Sequence, residues 1–194
     1  MEAFLSAATY PLPLPLLIPV LLANATFFHS LRHAVSAVGS SFARRHSSDS
    51  AKVAKFGEST FKLLCHGGFS LFGLKQITTQ PWWAETRLLW TAQDAWVPPP
   101  LLHMYYLCQM AYNLEAFFYL LSHSFSLELS SLFYGLPRVT KSDARRGDFL
   151  EMMIHHVTTD LLLVLSYRHH FVRVGMVILY IHDLSDVRNS LNEI

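Results

Sequence analysis

Charged side chains are scarce in this sequence. Asp, Glu, Lys and Arg make up 15% of the 194 residues and hydrophobic residues 52%, whereas soluble domains carry roughly 25% charged residues. This deficit indicates that lipid forms part of the solvent around the chain. The formal net charge is only +1, so no overall positive field favours a nucleic-acid partner, and we predict none.

Cysteine is almost absent as well. Cys65 and Cys108 lie far apart inside apolar stretches and support no disulfide framework. Neither has an evident activating neighbour, and the sequence contains no G-x-S-x-G serine motif. Residues 1–4 include no Lys or Arg. Because a cleavable signal peptide normally has a basic segment at that place, we expect a retained membrane anchor.

Apolar stretches predict membrane spans at five places: 10–28, 61–77, 101–121, 149–167 and 171–182. A bilayer core requires about 20 helical residues, so the third stretch is long enough and the fifth is short. The first contains Pro11, Pro13, Pro15 and Pro19. Proline removes a backbone donor, so we predict an irregular start and a reliable helix only in the later half of that span.

Lysines and arginines predict the orientation of these spans. One group of cations follows the first span (Arg32, Arg44, Arg45, Lys52, Lys55 and Lys62), and another fills the loop between the third and fourth (Arg138, Lys141, Arg145 and Arg146). Both groups fall on one side, which the positive-inside rule makes cytoplasmic. Residues 78–100 hold four tryptophans and one cation, Arg87, as expected for a lumenal loop.

Polar residues also lie inside the predicted spans. His66 and two lysines make the second span marginal by hydropathy. Gln109 and Asn113 of the third span share a helix face at i, i+4, so they either line a cavity or bridge helices.

Ionisable residues concentrate between positions 146 and 186. They include Arg146, Asp148, His155, His156, Asp160, His169, His170, Arg173, His182, Asp183 and Asp186. An ionisable residue at bilayer depth costs roughly 2.5–3.5 kcal/mol, so such groups usually face an interior or a wet cavity. Helical spacing places His156 near Asp160, and His182 near Asp186. A carboxylate that accepts the proton of one ring nitrogen makes the other nitrogen a better base.

A metal site is the alternative reading of these histidines. Membrane di-iron enzymes use H-x-x-H-H-like boxes, whereas His155-His156 and His169-His170 are bare pairs. Adjacent residues on a helix point about 100° apart, which is unsuited to joint ligation. We therefore predict no metal.

Several short segments follow one another in the same region: Asp148-Phe149, His155-His156-Val157-Thr158-Thr159, Ser166-Tyr167, Arg173-x-Gly175 and His182-Asp183-Leu184-Ser185-Asp186. In order and spacing they resemble the signature of TLC-domain proteins of the ceramide synthase (longevity-assurance) type. Weaker similarity lies upstream, from Lys55 to Lys62, at Pro81-Trp82 and from Tyr105 to Tyr112.

The resemblance implies an all-α, multi-pass protein of the endoplasmic reticulum membrane, in which a TLC-type bundle of helices surrounds an active-site cavity. Its expected activity is sphingosine N-acyltransferase: fatty acyl-CoA is the co-substrate, a long-chain sphingoid base is the acceptor, and no cofactor is needed. The implied catalytic residues are His155, His156, Asp183 and Asp186, with a histidine acting either as general base or as acyl-carrying nucleophile. The implied substrate-binding residues are Thr159, His182, Arg173, Arg145 and Arg146. A homodimer or heterodimer is compatible with this assignment.

The same resemblance divides the chain into two parts. Residues 1–53 are expected to form an anchor span with a basic cytoplasmic linker, and residues 54–194 a TLC domain. The family usually continues after the position of Asp186 with a Leu-Glu pair, a lysine and at least one more span. This chain reads Val187 to Ile194 instead, so we expect the bundle to lack its last span or spans. His170 also stands where the family usually has asparagine.

Two other functions remain open at this point. A TLC-domain protein that binds or traffics lipid without catalysis needs only apolar walls, and retention of both histidines and both aspartates argues against it. Metal-dependent lipid oxidation is the second alternative, which loss of activity on chelation would favour.

Overall fold

The computed structural model describes residues 10–91, 96–134 and 142–193, with the backbone alone at residues 123–134, 142–148 and 193. Within these ranges the chain forms six α-helices and no strand: α1 Leu14–Ala43, α2 Ser50–Thr78, α3 Pro81–Ala84, α4 Pro100–Tyr134, α5 Ser142–Arg168 and α6 Val172–Glu193. A short 3-10 helix, Thr86–Leu89, follows α3. The predicted all-α class is confirmed.

Helix α1 begins earlier than its prolines predict. Pro13 is its extended N-cap residue, Pro15 lies in the first turn, and Pro19 lies inside the helix. The prediction that only the later half is helical is therefore wrong. A first-turn proline is tolerated because the backbone N–H it lacks would have had no partner within the helix. The helix also continues past the predicted end of the span, so Arg32 is a buried helix residue and not a loop cation.

Helix α2 starts at Ser50, after a short connection of residues 44–49 that follows α1. The Asp49 side chain caps it by accepting from the backbone nitrogens of Ala51 (2.9 Å) and Lys52 (3.4 Å), which satisfies donors that have no partner inside a first turn. Such a short connection makes two successive helices antiparallel neighbours. The predicted second span, residues 61–77, lies entirely within α2.

The turn between α5 and α6 depends on one left-handed residue. His170 has φ 63°, and the backbone nitrogen of Phe171 donates to the Ser166 carbonyl oxygen at 2.8 Å. The chain therefore reverses over very few residues. Helix α6 then runs to Glu193, well beyond the short predicted span of residues 171–182.

The core lies where α1, α2 and α4 meet and extends to buried residues of α5 and α6 such as Tyr167 and Met176. Phe28 of α1 and Phe69 of α2 both pack against Tyr112 of α4, with ring centroids 5.6 and 5.5 Å apart. Helix α2 also contacts α6, and α4 also contacts α5. This arrangement brings the middle of α6 against the middle of α2.

Two helices in the described part of the chain are long and apolar enough to cross a membrane, α1 and residues Phe149–Arg168 of α5. Large apolar side chains of α5 also face outward, among them Leu150, Ile154, Leu161 and Leu162 with 56–62% of their surface exposed. A continuous exposed apolar face of this kind is typical of contact with lipid or with another chain.

Candidate active site

Helix α6 presents a histidine and a carboxylate on one face. His182 Nδ1 lies 3.1 Å from Asp186 Oδ2, one helical turn further on. Both side chains are partly exposed, at 35% and 28%. The carboxylate accepts from Nδ1 and leaves Nε2 of the same ring available, as the spacing of these residues predicts.

Helix α5 adds His155 to this pair. The rings of His155 and His182 are stacked, with centroids 5.4 Å apart and planes inclined by 12°. A cleft of about 540 Å³ opens beside them and is lined by Met152, His155, His182, Asp186, Asn189 and Asn192. Two imidazoles and a carboxylate therefore meet at a cavity that a substrate can enter.

His156 points in a different direction from His155. The two rings are 5.6 Å apart and inclined by 70°, because adjacent residues on a helix diverge by about 100°. His156 is half-buried and does not line the cleft, and its buried Nδ1 has no hydrogen-bond partner among the residues that the structure describes. Thr159, also half-buried, is likewise absent from the cleft wall.

Asp183 faces the interior of the bundle. It is only 2% exposed, and its Oδ1 lies 2.9 Å from Nδ1 of His66 on α2. Its Oδ2 accepts from the amide of Gln109 and from the hydroxyl of Tyr105 at 3.4 Å, both on α4. The acid therefore joins three helices behind the cleft, and Gln109 bridges helices as one of its two predicted roles requires.

Sequence reasoning missed three members of this network: His66, Tyr105 and Tyr112. His66 is buried, and its Nε2 lies 3.0 Å from the Tyr112 hydroxyl and 3.6 Å from Asp186 Oδ2. Two features of the sequence could have identified these residues. The first is a histidine in the middle of an otherwise apolar span. The second is the spacing of Tyr105, Gln109 and Tyr112, which places them on one face of α4.

The structure does not bring Arg173 to the cleft. Arg173 is buried near the start of α6, where it donates to the Leu88 carbonyl oxygen and stacks on Trp96 with its guanidinium carbon 4.9 Å from the ring centre. His182 lies nine positions further along the helix, about 14 Å along the axis. The side chains of Arg145 and Arg146 lie outside the described residues. The roles of all three in substrate binding stay predictions.

In the part of the chain described here, no group of three or more His, Cys, Asp or Glu side chains is arranged to hold a metal ion. The absence of a metal from the reaction stays a prediction.

Comparison with known proteins gives the family of this chain. The TLC domain of the TRAM, LAG1 and CLN8 proteins matches residues 55–194. The chain belongs to the TLC-domain family. This match, together with the apolar helices, identifies a membrane protein, as the composition predicts.

The relatives of this TLC domain include named enzymes. Ceramide synthase LOH2 of Arabidopsis thaliana is 34% identical over 140 residues, covering 71% of this chain and 40% of the relative. Alternaria stem canker resistance protein 1 of Solanum lycopersicum is 35% identical over 136 residues, again 40% of the relative. Sphingosine N-acyltransferase lag1 of Schizosaccharomyces pombe is 32% identical over 130 residues, covering 67% of this chain and 27% of that protein. The chain thus spans about two fifths of the length of the plant relatives that it matches.

Proposed function

We propose that this chain is a ceramide synthase, which transfers the acyl group of a fatty acyl-CoA to the amine of a sphingoid base. The observation that carries the proposal is the pairing of His155 with His182 and Asp186 at the cleft between α5 and α6. Relatives named ceramide synthase and sphingosine N-acyltransferase support the same reaction.

The chemistry needs a base or a nucleophile that lies beside the thioester. In the first route a cleft histidine takes a proton from the sphingoid amine as the amine attacks the thioester carbonyl. The C–N amide bond forms, the C–S bond breaks, and CoA leaves as the thiol once it receives the proton. In the second route a ring nitrogen of His155 attacks the thioester carbonyl, the C–S bond breaks and CoA leaves as the thiol. The amine then attacks the acyl-imidazole, which forms the amide and releases the histidine.

The structure supports different roles for His182 and the four proposed catalytic residues. His155 and His182 line the cleft, so they are the groups proposed to meet the acyl carbonyl and the amine. Asp186 orients His182. Asp183 is buried behind them and His156 lies beside His155, so these two are proposed to support the cleft from inside the bundle.

Substrate recognition is proposed to use residues around this centre. Thr159 lies one helical turn from His155 on α5 and is proposed to contact substrate there. Arg145 and Arg146, near the start of α5, are proposed to bind the CoA phosphates from the cytoplasmic side. Arg173 is proposed to bind substrate near the start of α6. The thioester is already activated, so the proposed reaction uses no cofactor. The proposed location is the endoplasmic reticulum membrane.

The test is an N-acylation assay with microsomes from cells that lack endogenous ceramide synthase. The chain would be supplied with labelled sphinganine and acyl-CoAs of several lengths. We expect ceramide from the wild-type chain and a loss of about 10²- to 10⁴-fold for His155→Ala, the range typical of a removed general base. His169→Ala, which removes an exposed histidine of the α5–α6 turn, is the matched control and should retain activity.

Two outcomes would contradict the proposal. One is the absence of product from folded wild-type chain in microsomes where a known synthase works. The other is equal activity of the wild type and a His155→Ala, His156→Ala double variant. Tight binding of labelled sphinganine without turnover would indicate the lipid-binding alternative instead.

A further inference from the structure

We propose that His66 is a positioning residue of the active site, which holds the carboxylates of Asp183 and Asp186 in place and thereby orients His182. This inference rests on the proposed function. It concerns a residue on α2 that lies more than 80 positions before the histidines and aspartates discussed above.

The contacts of His66 extend to both acids of α6. Its Nδ1 is 2.9 Å from Asp183 Oδ1, and its Nε2 is 3.6 Å from Asp186 Oδ2. Tyr112 completes the surroundings of Nε2, with its hydroxyl 3.0 Å away. One imidazole thus lies between two carboxylates that are three residues apart on the same helix.

The negative charges of Asp183 and Asp186 favour a hydrogen-bond donor placed between them. Like charges at i, i+3 on a helix repel each other, and the repulsion grows away from bulk water. The His66 ring lies between the two acids, so a ring N–H donated to either carboxylate offsets part of that repulsion. Removal of the ring would leave Asp183 with Gln109 and Tyr105 as donors, and Asp186 with His182 alone among its ion-pair contacts in the described residues.

A continuous set of contacts leads from His66 to the cleft. Asp186 touches both His66 and His182, and the His182 ring is stacked on His155. The His66 side chain itself is only 10% exposed and does not line the cleft. Its effect on the reaction therefore passes through Asp186 and His182, which makes it a positioning residue and not a catalytic one.

The test compares His66→Phe with His66→Asn in the acylation assay. Phenylalanine fills a similar volume next to the Tyr112 ring, which packs edge-on against His66 with centroids 5.1 Å apart, but it donates to neither acid. The asparagine amide takes the place of Nδ1 toward Asp183 and is too short to reach Asp186. Ser70→Ala is the matched control, because Ser70 is buried one turn further along α2 and its hydroxyl has no hydrogen-bond partner in the described part of the chain.

We expect His66→Phe to lower kcat about 10- to 100-fold per folded molecule, the size of effect that a misplaced catalytic group produces. KM for both substrates should stay within about twofold, since His66 touches neither. His66→Asn should fold and keep part of the lost kcat, and Ser70→Ala should match the wild type. A His66→Phe kcat equal to that of Ser70→Ala would overturn the inference, as would a raised KM at unchanged kcat. If His66→Phe does not fold, His66→Asn decides: a kcat equal to wild type would show that the link to Asp186 is not needed.

A second measurement keeps this inference separate from the proposed function. Thermal unfolding of His66→Phe, Asp183→Asn and the double variant forms a cycle, and a second cycle uses Asp186→Asn. We expect the decrease in thermal midpoint of each double variant to be smaller than the sum of the decreases of its two single variants. If the wild type makes no ceramide, the proposed function is wrong, but the cycles still measure whether His66 interacts with Asp183 and Asp186. Additive losses in both cycles would overturn the inference whatever the activity.

Discussion

At the scale of single residues, the two aspartates of α6 have different surroundings although they lie three positions apart. Asp183 is 2% exposed and bonded to side chains of α2 and α4, whereas the Asp186 side chain is 28% exposed and reaches the cleft. A buried acid that loses its charge leaves several donors without a full partner. A partly exposed acid can exchange its partner for water.

The two acids should therefore respond differently to neutralisation. Asp183→Asn is expected to lower the free energy of unfolding by about 1–3 kcal/mol, because His66 and Gln109 lose a charged acceptor in a buried site. Asp186→Asn should cost no more than about 1 kcal/mol, as for a solvent-accessible pair, and yet reduce acyl transfer strongly. Unfolding in detergent, measured beside the microsomal assay, checks both. Equal stability losses for the two variants would contradict this division of roles.

The residues of the site differ in how far a sequence can predict them. The pairing of His182 with Asp186 follows from helical spacing alone, because i, i+4 neighbours share a face whatever surrounds the helix. The contact between His66 and Asp183 joins positions 117 apart. It depends on how α2 packs against α6, and no local pattern contains that information. Arg173 was predicted as substrate-binding from its place in the motif, but the motif does not predict its contact with the Leu88 carbonyl oxygen.

At the scale of helices, a glycine sets the distance between α1 and α2. A Cβ atom on Gly57 would lie 2.5 Å from the backbone oxygen of Ser36, closer than real contacts allow, and a backbone atom cannot rotate away. Gly68 lies on the same helix, and a Cβ there would meet nothing within 4 Å. The first glycine is therefore required by packing and the second is not.

Alanine at these two positions should have opposite effects. Gly57→Ala is expected to destabilise the chain by about 1–3 kcal/mol, because it forces α1 and α2 apart. Gly68→Ala should be neutral or stabilising by up to about 1 kcal/mol, the gain in helix propensity. Thermal midpoints of the two variants, measured in the same detergent, test the difference. A Gly57→Ala chain as stable as Gly68→Ala would refute the close approach.

Helix bounds were the less predictable part of the fold. Hydropathy located the five long helices because each has an apolar stretch, but it placed the end of α1 near position 28 and the end of α6 near position 182. Both helices continue, to Ala43 and Glu193, since their polar ends gain hydrogen bonds and packing that a hydropathy average does not register. Arg32 was assigned to a loop for the same reason.

At the scale of the whole molecule, α1 is part of the bundle although it precedes the matched TLC region at residues 55–194. Arg32 of α1 forms a bidentate pair with Glu115 of α4, at 2.9 and 2.7 Å, and both side chains are at most 5% exposed. The guanidinium also lies over the rings of Phe61 and Tyr119, 4.5 and 4.2 Å from their centres. One arginine thus connects α1 with both α2 and α4.

This pair predicts how firmly α1 is held. Arg32→Met leaves Glu115 as a buried charge whose remaining ion-pair partner among the described residues is the half-exposed His29, and such a loss typically costs about 3–5 kcal/mol. Replacing both partners, as Arg32→Met with Glu115→Leu, removes the buried charge together with its counterion and should restore most of that stability. Arg45→Met, at an exposed arginine after α1, should change the free energy of unfolding by no more than about 0.5 kcal/mol. Unfolding curves of the wild type, these three variants and the single Glu115→Leu variant decide the matter. If the double variant loses as much stability as the two single changes together, the two residues act independently and α1 is held by its apolar contacts alone.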